Sequence, residues 1–306
     1  MKENGETQAG HPSSVGILLM TVAFVFFSVM DATAKFLSAT LPPAVIVSGR
    51  YVFGALVIAL AGLVIWGKGF LRTANLKMQL VRGLFMVLAT LFNFIAVKYL
   101  QLAQTSSLLF STPLWVCLLS PLLLGEHVGW RRWLAVLAGF LGVLLVLRPG
   151  TDAFHPAMLL SLAAAFTLSL YQIFTRKVGA HDAAIASLFW GTAAGAVLSL
   201  PLPVVTGAFA LPQGLEWAYL IGMASIGSMG HFLLVQAHRL ADASLLAPFS
   251  YTQLFWMILI GWLWFGDVPD LLTVLGALMV AGAGLFVFHR ERVMARRLAV
   301  KKTAAS

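Results

Sequence analysis

Charge is scarce in this chain. Asp, Glu, Lys and Arg make up 10% of its 306 residues, where a water-soluble domain carries roughly 25%. Hydrophobic residues reach 60%, more than a soluble fold of this size can hide. Cysteine is nearly missing. A lone Cys117 excludes an internal disulfide and a thiolate metal site. The seven histidines are scattered, so no metal and no cofactor is expected. There is no G-x-x-x-x-G-K-[ST] loop, which excludes a nucleotide-driven pump of the P-loop kind. Neither H-E-x-x-H nor G-x-S-x-G occurs, and no nucleophile–base pair stands out within an apolar run. An enzyme is therefore not expected. Nor is a nucleic-acid partner: the net charge of +9 comes from residues between apolar runs and from Arg290, Arg292, Arg296, Arg297, Lys301 and Lys302. That pattern suits an anionic membrane surface.

Long apolar runs are what the chain has instead. A membrane helix needs about 20 mostly apolar residues. Ten segments qualify: 15–37, 43–66, 78–98, 102–124, 130–147, 156–176, 182–204, 215–237, 241–265 and 270–289. Their length and lack of strand alternation favour helices over a barrel. Short connections leave no room for a water-soluble domain. The polar stretch 1–14 reads as a flexible cytoplasmic N-terminus rather than a signal peptide, and 290–306 as a basic cytoplasmic tail. With the N-terminus inside, Lys2, Lys68, Arg72, Lys77, Arg82, Arg131, Arg132, Arg176, Lys177, Arg239 and the six cations of the tail lie on the inner side. Lys98 and Arg148 lie outside. The positive-inside rule then places both termini in the cytoplasm.

The chain also repeats itself at the offset that separates Trp115 from Trp256. The same offset relates Gly125-Glu126 to Gly266-Asp267, Gly54-Ala55 to Gly195-Ala196, Ser28 to Ser169 and Lys35 to Arg176. A small-residue stripe, Ala135, Gly139 and Gly142, recurs as Ala277, Ala281 and Gly284 after a one-residue slip. Two halves of five helices follow, 15–149 and 150–289. Five is odd, so the second half enters from the opposite side. Inverted repeats around a central cavity are an architecture for alternating access, with the substrate near the midplane. A channel is less well served by such a repeat, and a scaffold has no use for charges at matched depth.

Two stretches carry a family resemblance, AQTSSLLFSTPLWVCLLSPLLLGEHVGWRRWLAVLAGFLGVLLVLRPG and ADASLLAPFSYTQLFWMILIGWLWFGDVPDLLTVLGALMVAGAGLFVF. In each, small and polar residues open a helix, a proline or polar break follows, an apolar stretch ends in Gly-acid, and a Gly/Ala-rich helix closes the half. The chain resembles the EamA-like group of the drug/metabolite transporter superfamily over nearly its whole length. Many relatives have Glu-Pro in the fourth span, where this chain has Thr112-Pro113; Gln253-Leu254 stands in the ninth. The resemblance implies ten helices in two inverted repeats and secondary transport across the bacterial inner membrane. It points to export of neutral and aromatic amino acids. Similar "DATAKFL"-like first helices in S-adenosylmethionine carriers make uptake of that or another nucleoside-like metabolite the alternative.

Ionisable groups inside a span are costly and usually functional. Asp31 lies about 10 Å below the outer end of span one, and Arg50 at the same depth in span two. Lys35 stands one turn beyond Asp31 on the same face. The three are candidates for a locking ion pair, an external gate or direct contact with a zwitterionic substrate. Further cavity candidates are Thr90, Asn93, Tyr171, Gln172, Trp190, His231, Tyr251, Gln253 and Trp256, with His231 a possible proton relay or packing residue. Trp115 and Phe189 are additional aromatics. Pro113 and Pro248 are expected to break spans four and nine. Glu126 and Asp267 are expected to be structural acids at span ends, near Arg131 or Arg132. The partners expected are a small-molecule substrate and the bilayer, for a monomer or homodimer whose small-residue stripes pack within the chain or between copies.

Overall fold

A computed structural model describes residues 11–125, 128–178, 183–241 and 243–303. Among these, all regular secondary structure is helical: α1 (His11–Leu37), α2 (Pro43–Trp66), α3 (Leu76–Tyr99), α4 (Leu102–Leu109), α5 (Thr112–Leu124), α6 (Trp130–Leu147), α7 (Ala157–Val178), α8 (Ala184–Ser199), α9 (Leu202–Val205), α10 (Leu215–Leu240), α11 (Ala243–Ser250), α12 (Thr252–Phe265) and α13 (Leu271–Thr303). Nine spans among the described residues are long and apolar enough to cross a membrane, α4 and α5 counting as one. The remaining segment, 241–265, is divided between α11 and α12. Val64 and Leu122 are 85% and 82% exposed, as side chains facing lipid would be.

The helix breaks have local causes. Pro113 sits in the first turn of α5, where its missing N–H costs nothing. The break falls before it, at Phe110 and Ser111. Pro248 instead lies inside α11, and the corner comes three residues later at Tyr251, whose N–H bonds the Pro248 carbonyl in an i−3 contact. Gly125 and Gly266 end α5 and α12 at φ of 67° and 68°, a left-handed cap that glycine adopts without a Cβ penalty. Both ends of the chain are more helical than expected: α1 begins at His11 and α13 runs on to Thr303. The tail's Ala, Arg, Leu and Lys are strong helix formers.

Packing joins the first half of the chain to the second. α1 lies along α10, α3 along α7, and α6 along α13; α2 touches α8 and α10. Gly142 of the first stripe and Gly276, next to Ala277 of the second, make the closest approach of the α6–α13 seam. A Cβ on Gly142 would meet the Gly276 carbonyl at 2.8 Å, and one on Gly276 would meet the Gly142 carbonyl at 2.6 Å. The backbones therefore touch, as small residues allow, and these stripes are occupied within the chain. The largest core cluster gathers Phe27, Met30, Tyr51, Met86, Phe94 and Met223 from α1, α2, α3 and α10. It surrounds the polar groups described next.

Candidate substrate site

α3 carries the polar groups inward. Gln79, Arg82, Met86, Thr90 and Asn93 follow one another at steps of three and four, which puts them on one face. Arg82 is 3% exposed. Asn93 donates to the Asp31 carboxylate across the α1–α3 contact at 3.4 Å. Thr90 meets the Tyr51 hydroxyl at 2.8 Å. That hydroxyl also donates to the Met86 carbonyl at 3.0 Å, so Tyr51 ties α2 to α3.

Asp31 and Arg50 are both buried, at 4% and 7% exposure. They lie at matching depth, about 9 and 10 Å from the ends of α1 and α2 that share one side. Arg50 is near enough to attract the carboxylate electrostatically, yet the two form no ion pair; the pairs among the described residues are Lys35–Asp267 and Arg148–Asp270. Arg50 donates through Nε to the Met30 sulfur at 3.2 Å, a weak acceptor. Its guanidinium carbon stands 4.6 Å from the centre of the Tyr51 ring. Beside it is a gap of about 10 Å³ lined by Arg50, Met86, Thr192, Gly227, Ser228 and His231, room for roughly one water. Phe27, Met30 and Met86 belong to the core cluster packed around these charges.

Lys35 has a different partner from the one expected. Its ammonium meets Asp267 at 2.6 Å, donates to the Leu100 carbonyl at 2.9 Å and stands 4.9 Å from the centre of the Phe265 ring. Asp267 therefore bridges the end of α12 to α1. Its repeat counterpart Glu126 lies outside the described residues.

The remaining candidates scatter. His231 packs on Phe27, ring centres 4.8 Å apart, and borders the gap beside Arg50. Tyr171 lies under the Arg82 guanidinium at 5.3 Å. Gln172 faces outward on α7, exposed. Trp190 donates to the Leu71 carbonyl at 2.9 Å, pinning α8 to the loop after α2, and packs on Phe189. Tyr251 packs on Phe110, ring centres 5.0 Å apart and tilted by 36°, so the corners of the two broken spans touch. Gln253 is buried. Trp115 and Trp256, related by the repeat, each bury an indole N–H without a partner.

Sequence reasoning missed Tyr51 and the pairing of Lys35 with Asp267, and it counted Arg82 as a loop cation. Arg82 lies six residues inside α3, about 9 Å from its start. The spacing from Gln79 to Asn93 was the available signal.

A bundle of apolar helices long enough to cross a membrane defines a multi-pass membrane protein. The chain belongs to the EamA-like transporter family, whose model matches residues 14–148 and 155–288. Similar curated proteins include an S-adenosylmethionine uptake transporter of Rickettsia bellii, 28% identical, with 91% of this chain and 95% of that protein covered. A riboflavin transporter of Vibrio cholerae is 31% identical over 94% and 97% of the two chains. A pseudopaline exporter of Pseudomonas aeruginosa is 30% identical over 88% and 94%. A solved crystal structure, described only as "Crystal structure of protein", superposes with a TM-score of 0.63 at 22% identity, over 93% of this chain and 99% of that one. It shares the fold.

Proposed function

We propose that the protein is a secondary transporter of the bacterial inner membrane that moves a zwitterionic metabolite with an α-amino-acid head by alternating access. One observation carries the proposal: Asp31 and Arg50 are buried at the same depth, near each other, and not ion-paired. A charge left in this setting without a strong partner is costly. An α-carboxylate suits the guanidinium fork, and an α-ammonium suits Asp31. Two inverted repeats of five helices, ten in all with both termini in the cytoplasm, are supported by mirrored packing: α1 on α10 answers α3 on α7, and α1 on α12 answers α5 on α7. In this arrangement Lys35–Asp267 closes the outer side.

Neutral and aromatic amino acids, exported, are the first substrate reading. S-adenosylmethionine, taken up, is the second; it also carries a methionine head, and relatives with that name favour it. The test is flux in proteoliposomes of labelled L-phenylalanine, L-methionine and S-adenosylmethionine, with Asp31→Asn and Arg50→Gln as controls. Movement of one class, lost in both variants, is the expected result. No movement of any of the three would sink the assignment.

A further inference from the structure

The groups around Arg50 do not balance in charge. Arg50 and Arg82 are two guanidiniums buried in the helix bundle, both within electrostatic reach of His231; Asp31 is the nearby carboxylate. Lys35 and Asp267 neutralise each other farther out. Arg82 is the more isolated cation. It donates to the Ser187 carbonyl and covers the Tyr171 ring, both uncharged partners. Its Nε is buried with no partner. The guanidinium packs directly on Gly191: a Cβ there would fall 2.6 Å from Nη2, so only glycine fits beneath it. Met86, one turn above Arg82 on α3, lines the gap beside Arg50. Arg82 is thus about one helical turn from that gap, on its inner side in the orientation proposed above.

We infer that Arg82 is a second binding station for a carboxylate of the cargo, below Arg50 on the inner half of the path. Resting on the transport reading, this narrows the substrate class to solutes bearing a carboxylate that passes from one guanidinium to the next. Arg82 keeps one buried donor, Nε, without a partner, which a carboxylate oxygen would satisfy with a charge-assisted bond. Tyr171 lies against the face of the guanidinium, and Nε on its edge is the donor left over.

The test uses the full-length protein in detergent, with benzoate as the probe and benzamide as its uncharged isostere. Binding is read from the dependence of unfolding temperature on probe concentration. The wild type is expected to bind benzoate and to discriminate against benzamide. Arg82→Gln should weaken benzoate binding about tenfold, the order of one charge-assisted contact, with the benzamide response unchanged. Arg82→Lys keeps the charge without the fork and should fall between. Gly191→Ala, which displaces the guanidinium without removing it, should also weaken benzoate; these two variants carry the test should Arg82→Gln fail to fold. Benzoate binding that is unchanged across the variants overturns the proposal. So does equal loss of both probes, or a wild type that does not distinguish them. If benzoate discrimination follows Arg82 while no amino acid or S-adenosylmethionine crosses the membrane, the transport reading fails and the anion station stands.

Discussion

Replacing Asp267 by Asn removes the charge that Lys35 holds and little else. The pair is short, at 2.6 Å, and its side chains are 15% and 23% exposed. A fully exposed pair contributes at most about 1 kcal/mol, and breaking a fully buried one costs about 3–5 kcal/mol. This pair lies between, near about 2 kcal/mol, which is roughly 30-fold in an equilibrium constant. If the pair holds the outer side closed, Asp267→Asn shifts the closed-to-open balance by that factor. The assay is thiol labelling from outside by a membrane-impermeant reagent. The chain's single cysteine, Cys117, is changed to Ala, and Thr90→Cys supplies a reporter beside Tyr51. Labelling should speed up by about 30-fold in Asp267→Asn, and the swap of Lys35→Asp with Asp267→Lys should restore slow labelling. Equal labelling rates in parent and variant would refute the gate. Lys35→Gln should act more strongly, since it also loses the Leu100 carbonyl and the Phe265 ring.

Three further outcomes follow from the packing and the surface charges. Gly195→Ala places a Cβ 2.3 Å from the Tyr51 ring; overpacking of this kind costs about 1–3 kcal/mol and should lower the unfolding temperature in detergent. Gly276→Ala meets the Gly142 carbonyl at 2.6 Å and should force α6 and α13 apart, at a cost in the same range of about 1–3 kcal/mol, read by the same melt. Asp270 lies outside the spans, and hydrogen bonding from Arg148 holds its carboxyl below the ordinary carboxylate range. Its folded pKa is depressed, so its stabilisation is present above the ordinary value near 3.8 and is lost as pH falls through the lower folded one. Asp270→Asn should therefore flatten the fall in unfolding temperature between neutral and acid pH, by less than about 1 kcal/mol for so exposed a pair.

The repeat offset that relates Trp115 to Trp256 also sets Met223 against Arg82, His231 against Thr90 and Leu234 against Asn93. The charge of Arg82 and the amide of Asn93 have no equivalent in α10, just as Gln172 replaces Asp31. The asymmetry of the site was thus already visible in the residues. Which face of α7 holds Gln172 was not. It depends on how α7 rotates against α3, and the outcome is exposure.

Hydrophobicity is a local property, so the sequence alone determined the class of molecule, the position of nearly every span and the depth of Asp31 and Arg50. Rise per residue is constant along a helix, and depth follows from counting. Partnership is not local. Lys35 and Asp267 are separated by most of the chain and meet because α12 packs on α1. Arg82 counts with the inner-side cations although it falls within the expected span 78–98; the structure turns it to the buried face of α3. Only the tertiary structure decided which charges neutralise one another and which are buried without an ion-pair partner, because that depends on which helix faces turn together.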